Sequence, residues 1–119
     1  MLLRTGRFKL RRAKGVQSIL ASMPGLHASC LKWMHERKIA VLGSDAISDV
    51  LPTPYDPPLR MPIHTGTLVM MGVHLIDNAD LDGLAEKCAR DGRYEFMFVA
   101  PTLPITGAVA SPSNPLAIK

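Results

Sequence analysis

The sequence predicts a mixed α/β fold, and two observations lead to that prediction. A continuous apolar run from Ile39 to Leu42 is stopped by Gly43, which is typical of a strand buried on both faces of a sheet. Apolar residues at helical spacing occur on both sides of this run, from Leu26 to Met34 and from Leu81 to Ala89. Helices on either side of a buried strand favour an α/β or α+β class.

In chain order, the predicted elements are β, α, β, α, α and β, followed by a turn-rich tail. The first strand is short, from Met1 to Thr5, and no clear period follows between Phe8 and Ser22. We expect that stretch to be a loop that contains a turn of helix. Pro24 suits the first turn of a helix because that turn leaves its N–H groups unpaired, so we predict a helix from Pro24 to Lys38.

Prolines and caps define the second half of the predicted order. The proline-rich residues 52–58 exclude regular structure and predict a long surface loop. A second helix is predicted from Ile63 to Val73, and Asp80 is a suitable N-cap for a third. Tyr94 to Ala100 is the last predicted strand, and prolines close it.

Length and charge limit the classes of protein that this chain can represent. With 119 residues, the chain is one domain at most, and we predict a single partial domain over residues 1–119. The mean hydropathy of +0.13 is high for a small domain and predicts apolar surface meant for a partner or for missing parts of the fold. The net charge is +4. Six basic residues and no acid lie in the first fourteen positions: Arg4, Arg7, Lys9, Arg11, Arg12 and Lys14.

This basic segment has two interpretations. It is either a solvated strand end with its loop or an arm that binds nucleic acid. The sequence lacks the interleaved aromatic residues and the motifs of nucleic-acid modules, which favours the first interpretation, so we expect no nucleic-acid partner. No apolar run reaches the ~18 residues of a membrane span. Cys30 and Cys88 lie in predicted helices without a Cys-x-x-Cys spacing, which predicts buried thiols in a reducing compartment such as the cytoplasm.

His64 and Asp77 are the candidate residues for chemistry. His64 follows the proline-rich loop and opens a predicted helix, so its ring can project into a cleft as a general base or metal ligand. Asp77 lies thirteen residues later, and a carboxylate beside an imidazole suits zinc or manganese. The alternative is structural: His64 as an ordinary buried histidine, and Asp77 with Asn78 as a turn into the next helix.

Three more polar residues follow the buried strand. Ser44, Asp45 and Asp49 lie beyond its carboxyl end, where ligands of α/β proteins usually bind. Ser44 and Asp45, together with Asn78, can either bind a substrate or anchor loops by hydrogen bonds, and Asp49 has the same two alternatives.

Several of these stretches, in this order along the chain, resemble metal-dependent cyclases and kynurenine-formamidase-like hydrolases. They are Trp33 to Asp49, His64, Asp77 to Leu81, and Ser111 to Pro115, and the resemblance extends over most of the chain. It implies a fragment of the cyclase-like swivelling β/β/α fold. The main metal motif of that family, His-x-Gly-Thr-His-x-Asp, is absent from this sequence. The resemblance therefore implies the C-terminal part of such a domain.

The resemblance also implies a function. Such enzymes hydrolyse C–N bonds other than peptide bonds, in N-formylkynurenine during tryptophan catabolism or in cyclic amides, with zinc or manganese. It implies that His64 is a catalytic residue and a metal ligand, that Asp77 is a second ligand, and that the chain is a homo-oligomer or needs a separate N-terminal half. The alternative is a non-catalytic dimerisation module that keeps the fold.

Overall fold

A computed structural model of the chain describes residues 1–18 and 21–119. Its contacts divide the chain into two compact units, Met1–Asp82 and Gly83–Lys119. We describe each unit by itself, and the single-domain organisation of residues 1–119 stays a prediction. In the two described ranges, no helix is long and apolar enough to cross a membrane. The cytoplasmic location stays a prediction.

The first unit is built on a parallel sheet of three strands in the described residues. The strands are β1 (Leu2–Leu3), β2 (Val41–Ser44) and β3 (His74–Ile76), and β2 lies in the middle. The apolar run that predicts a buried strand therefore leads into the central strand, two residues later than expected. Gly43 lets the Leu2 side chain of β1 lie close to the backbone of β2, because a Cβ at this position would lie 2.5 Å from a methyl group of Leu2, which would have to shift.

Helices pack against this sheet to form the core of the first unit. They are α2 (Cys30–Glu36) and α3 (Pro62–His64), which continues into a π-helical segment (Thr65–Met71). The first helix, α1 (Arg7–Lys14), contributes no buried residue to this core. The core consists of residues from α2, β2 and α3 and the residue just before β3, namely Met34, Leu42, Ile63 and Val73. Burial of such side chains stabilises each by about 1.5–3 kcal/mol relative to exposure.

The π-helical segment lies close to α2 because it contains a glycine. A Cβ at Gly66 would lie 2.5 Å from a methyl group of Leu31, so with any larger residue the Leu31 side chain would have to move. The segment ends at Gly72, whose φ of 66° is in the left-handed region. The predicted helix from Ile63 to Val73 is therefore present, although most of it is wider than an α-helix.

Two expectations for the first 40 residues are wrong. The loop expected between Phe8 and Ser22 contains helix α1, while residues 19 and 20 lie outside the described residues. No residue of α1 is buried, which explains why no apolar period marks it. The helix predicted to begin at Pro24 begins at Cys30 instead. Residues 23–26 are extended because backbone bridges join Met23 to Leu51 and Leu26 to Asp49.

The second unit contains a helix and a two-stranded ribbon. Helix α4 (Asp82–Asp91) starts at the last residue of the first unit, two residues after the predicted N-cap, and Gly92 follows it with a φ of 63°. Strands β4 (Met97–Val99) and β5 (Leu116–Ile118) pair antiparallel. β5 lies in the predicted turn-rich tail, and its pairing with β4 is what makes it a strand.

Candidate functional site

The candidate site lies at the carboxyl edge of the three-stranded sheet. Because β1, β2 and β3 are parallel, their carboxyl ends meet at one edge. Thr5, Asp45 and Asp77 follow shortly after these ends. Ligands of parallel α/β sheets usually bind at this edge, and the sequence places its polar candidates there.

Asp45 anchors the chain that leaves β1. Its carboxylate is 1% exposed and accepts four hydrogen bonds, two from Thr5 and one each from the amides of Gly6 and Arg7, at 2.7–3.1 Å. These amides open helix α1, so the carboxylate caps a helix that is remote from it in sequence. Both of its oxygens are occupied by the chain itself.

Ser44 and Asn78 join the loop after β2 to the loop after β3. The hydroxyl of Ser44 accepts a hydrogen bond from the amide of Ala46 at 3.1 Å, and its carbonyl accepts one from Ala79 at 2.9 Å. Asn78 has a φ of 60°, and its side-chain oxygen accepts a hydrogen bond from Arg7 at 3.0 Å. In this structure the hydrogen bonds of Ser44 and Asn78 hold loops in place.

Asp49 combines two functions in one buried carboxylate. It accepts hydrogen bonds from the amides of Ile63 at 2.7 Å and His64 at 3.1 Å, which lie in the first turn of α3 after Pro62. Its Oδ2 also lies 2.6 Å from Nδ1 of the His64 ring. The same side chain therefore caps the helix and fixes the orientation of the imidazole.

The structure brings His64 and Asp77 together. Nε2 of His64 lies 3.0 Å from Oδ2 of Asp77, although His64 is on α3 and Asp77 follows β3. The other oxygen of Asp77 accepts a hydrogen bond of 2.6 Å from the hydroxyl of Ser48. A continuous hydrogen-bonded row therefore runs through four side chains: Ser48, Asp77, His64 and Asp49.

Two carboxylates determine the charge of His64. The hydrogen bond to Asp49, followed by that to Asp77, raises the pKa of His64 from 6.5 to about 9, while partial burial acts in the opposite direction. The imidazole is therefore protonated at neutral pH, and both of its ring nitrogens donate.

The side chains at this position are of types that bind metals, but they are too few to form a complete metal site. An imidazole nitrogen and a carboxylate oxygen converge, and both side chains are partly exposed, which leaves them open to a cation from solvent. Among residues 1–18 and 21–119, however, no group of three or more histidine, cysteine or acidic side chains could hold a metal ion. A catalytic zinc usually has three protein ligands, so His64 and Asp77 amount to part of a site.

The basic segment at the start of the chain has acidic partners. Arg4 pairs with Asp82 at 2.5 Å, and Arg12 contacts Asp80 and Asp82. Arg4, with Arg12 contributing less, lowers the pKa of the Asp82 carboxyl below its usual value. Several charges of this segment therefore serve contacts within the first unit, and the expectation of no nucleic-acid partner stays a prediction.

Ser48 is the site residue that sequence reasoning missed. It is fully buried, and its φ of 62° is unusual for a residue with a side chain. A signal was present in the sequence, since the pair Ser44-Asp45 recurs as Ser48-Asp49 directly after the buried strand.

Comparison with solved structures identifies the fold, whereas the other two comparisons find nothing. No protein-family model matches the sequence, and no curated protein matches it. A crystal structure described as a novel cyclase matches 99% of this chain with a TM-score of 0.81 and 32% identity. The chain has the cyclase fold. The predicted α/β class is thereby confirmed, and this cyclase-fold chain spans 39% of the length of the matched protein.

Proposed function

We propose that the chain provides part of the divalent-metal site of a hydrolase that cleaves an amide C–N bond, of the arylformamidase or cyclase type. The observation that supports this most is the convergence of Nε2 of His64 and Oδ2 of Asp77 at 3.0 Å. The candidate substrates are N-formylkynurenine or a cyclic amide, and the candidate ions are Zn²⁺ and Mn²⁺, which accept this pair of donors.

Each residue of the site has a defined part in this proposal. His64 and Asp77 would hold the cation together with ligands from outside this chain, and Asp49 would keep the imidazole in place. A bound divalent cation would polarise the scissile carbonyl and activate water as the nucleophile. Nε2 of His64 can bind the cation or carry a proton to the leaving nitrogen, but one atom cannot do both at once. At neutral pH Nε2 carries a proton that it donates to Asp77, so a cation would have to displace that proton to bind there.

The chain is expected to be inactive by itself. It contributes two donors and spans 39% of the matched cyclase, so the remaining ligands would come from another segment or a partner chain. We therefore expect weak binding of Zn²⁺ or Mn²⁺ by the isolated 119-residue chain and no hydrolysis.

The proposal is tested by titrating the isolated chain with Zn²⁺ or Mn²⁺, with binding measured by calorimetry or by NMR of the histidine rings. We expect a single weak site that is lost in His64→Ala and in Asp77→Asn. His35→Ala and Asp56→Asn are matched controls because both residues are exposed, and these variants should bind as the wild type does. Equal binding by all four variants would contradict the metal site. Turnover of N-formylkynurenine by the isolated chain would contradict the proposal that further ligands from outside this chain are needed for activity.

A second candidate function is a non-catalytic dimerisation module. It is favoured by three consecutive apolar residues on the π-helical segment, Leu68, Val69 and Met70, each at least half exposed. Such a patch is typical of an interaction surface. A stable dimer in sedimentation, together with no binding of either metal, would favour the module over the hydrolase.

A further inference from the structure

We propose that the cavity between helix α1 and residues 16–17 and 22–24 binds a small carboxylate with an apolar body. The cavity has a volume of about 190 Å³, whereas pockets for drug-sized ligands have about 300–1,000 Å³. It lies beyond the carboxyl end of β1, on the edge of the parallel sheet where ligands usually bind. Neither His64 nor Asp77 is among the described residues that line it, so the inference does not rest on the proposed function.

Two sides of this cavity are fixed by hydrogen bonds before any ligand binds. Thr5 and Gly6 form one side, and both donate to the buried carboxylate of Asp45 at 2.7–2.9 Å. Met23 forms part of another side, and its backbone exchanges two hydrogen bonds of 2.9 Å with the backbone of Leu51. The cavity is therefore preformed, which reduces the ordering that accompanies the binding of a ligand.

The side of the cavity that α1 forms combines positive charge with apolar surface. Arg7, Leu10 and Arg11 line it, and their spacing of three and four residues places them on one face of the helix. Leu10 is 44% exposed and Val16, which also lines the cavity, is 76% exposed. An apolar ligand body would remove these two side chains from water, which is favourable. A ligand with a negative end and an apolar body matches this lining.

The positive charge on this face is not neutralised by acidic side chains. Elsewhere in the basic segment, Arg4 and Arg12 pair with carboxylates. Arg7 instead donates to the neutral side-chain oxygen of Asn78, and Arg11 forms no salt bridge with any described residue. No acidic side chain is among the described residues that line the cavity. The two guanidinium groups therefore give the cavity a positive potential, which attracts an anion.

A carboxylate suits this cavity better than a phosphate does. Phosphates commonly bind the free amides at a helix N-terminus, but the amides of Gly6 and Arg7 already donate to Asp45. The buried charge of Asp45 also opposes a dianion more than a monoanion. A guanidinium group forms paired hydrogen bonds with a carboxylate, so the side chains of Arg7 and Arg11 suffice to bind one.

The test is a titration of the ¹⁵N-labelled chain with hexanoate, which joins a carboxylate to an apolar tail. We expect saturable NMR shifts at the amides of Gly6 and Leu10, and an affinity about 10-fold lower for hexanamide, the neutral analogue. Arg11→Gln should weaken the binding of hexanoate about 10-fold, because hydrogen bonds between charged groups contribute more than neutral ones. Lys9→Gln is the matched control, since Lys9 is exposed on the same helix and does not line the cavity. It removes the same charge and should leave the affinity nearly unchanged.

Four results would overturn the site or its ligand. The absence of any saturable shift with hexanoate would overturn the cavity as a binding site. Equal weakening by Arg11→Gln and Lys9→Gln would show only a general attraction to the charge of α1. Equal affinity for hexanoate and hexanamide would overturn the recognition of an anion, and tighter binding of inorganic phosphate at the same amides would overturn the choice of a carboxylate.

Val16→Ser provides a second, independent measurement on the apolar part of the cavity. Val16 is exposed, so its replacement should leave the folded chain intact. We expect Val16→Ser to weaken the binding of hexanoate but not that of acetate, which has no apolar tail to contact this side chain. An unchanged affinity of Val16→Ser for hexanoate would overturn the apolar contact.

Discussion

The loop after β2 in the first unit and the β4–β5 ribbon in the second differ in what they bury. In the loop, polar side chains are buried and hydrogen-bonded, namely Ser44, Asp45, Ser48 and Asp49. On the ribbon, apolar side chains are exposed, namely Met97, Val99, Leu116 and Ile118. These four form two cross-strand pairs on one face.

This difference shows where the chain is organised by its own contacts. The loop satisfies its buried carboxylates with amides of the same unit, so its geometry is fixed before any ligand binds. The ribbon leaves its apolar face in water, and a two-stranded ribbon is at best marginally stable by itself. The free energy of unfolding should therefore depend on the core of the first unit far more than on the exposed face of the ribbon.

The largest expected effect comes from a matched pair of leucine substitutions. Leu42 on β2 is fully buried, whereas Leu116 on β5 is 51% exposed. Leu42→Ala should lower the free energy of unfolding by about 2–5 kcal/mol, because it removes buried methyl groups and leaves a cavity. Leu116→Ala should lower it by less than about 1 kcal/mol. Urea unfolding followed by circular dichroism measures both.

The contrary result for this pair is also informative. A loss in Leu116→Ala as large as that in Leu42→Ala would show that the ribbon face is covered in solution. The concentration dependence of the midpoint would then identify association between copies, because assembly makes stability depend on protein concentration.

A smaller effect is expected from pH. The pKa of His64 is raised to about 9 in the folded chain from 6.5, so its stabilising contribution is complete below pH 6.5. That contribution is lost as the pH rises from about 6.5 through about 9. Each unit of pKa shift corresponds to about 1.4 kcal/mol, and partial exposure reduces the total to about 2–3 kcal/mol. Urea midpoints measured between pH 6 and 10 should therefore fall.

His64→Gln is the control for this prediction, because the amide does not titrate. The Met1 amino group also titrates in this range, and burial lowers its pKa, which gives a trend of opposite sign. The difference between wild type and His64→Gln isolates the histidine. Equal slopes in the two proteins would show that neither carboxylate interacts with the ring in solution.

The elements that sequence predicts well are those with a local cause. The apolar run before Gly43 marks the central strand, and Gly92 marks the end of α4. Three other elements have no such local cause in the sequence. Helix α1 depends on the remote carboxylate of Asp45, while β3 and β5 are strands because β2 and β4 pair with them. Tertiary partners of this kind leave little trace in local periodicity.

The candidate site was predictable to a similar extent. The chemistry of imidazole and carboxylate singles out His64 and Asp77, and the loop–helix context of His64 is local. Ser48 was missed because its importance comes from a left-handed backbone and one long-range hydrogen bond to Asp77. For Asp49 both alternatives were stated, and only the structure shows that its carboxylate contacts the ring of His64.

The smallest effect should come from two opposite substitutions on the π-helical segment, two residues apart. Thr67 is fully buried and its hydroxyl donates to the carbonyl of Ile63 at 2.6 Å, so Thr67→Val should cost about 1 kcal/mol. Val69 is 78% exposed, so Val69→Thr, of nearly the same shape, should change the free energy of unfolding by less than about 0.5 kcal/mol. Urea unfolding compares the two. A costly Val69→Thr, together with weaker self-association in sedimentation, would show that this apolar patch is an interface.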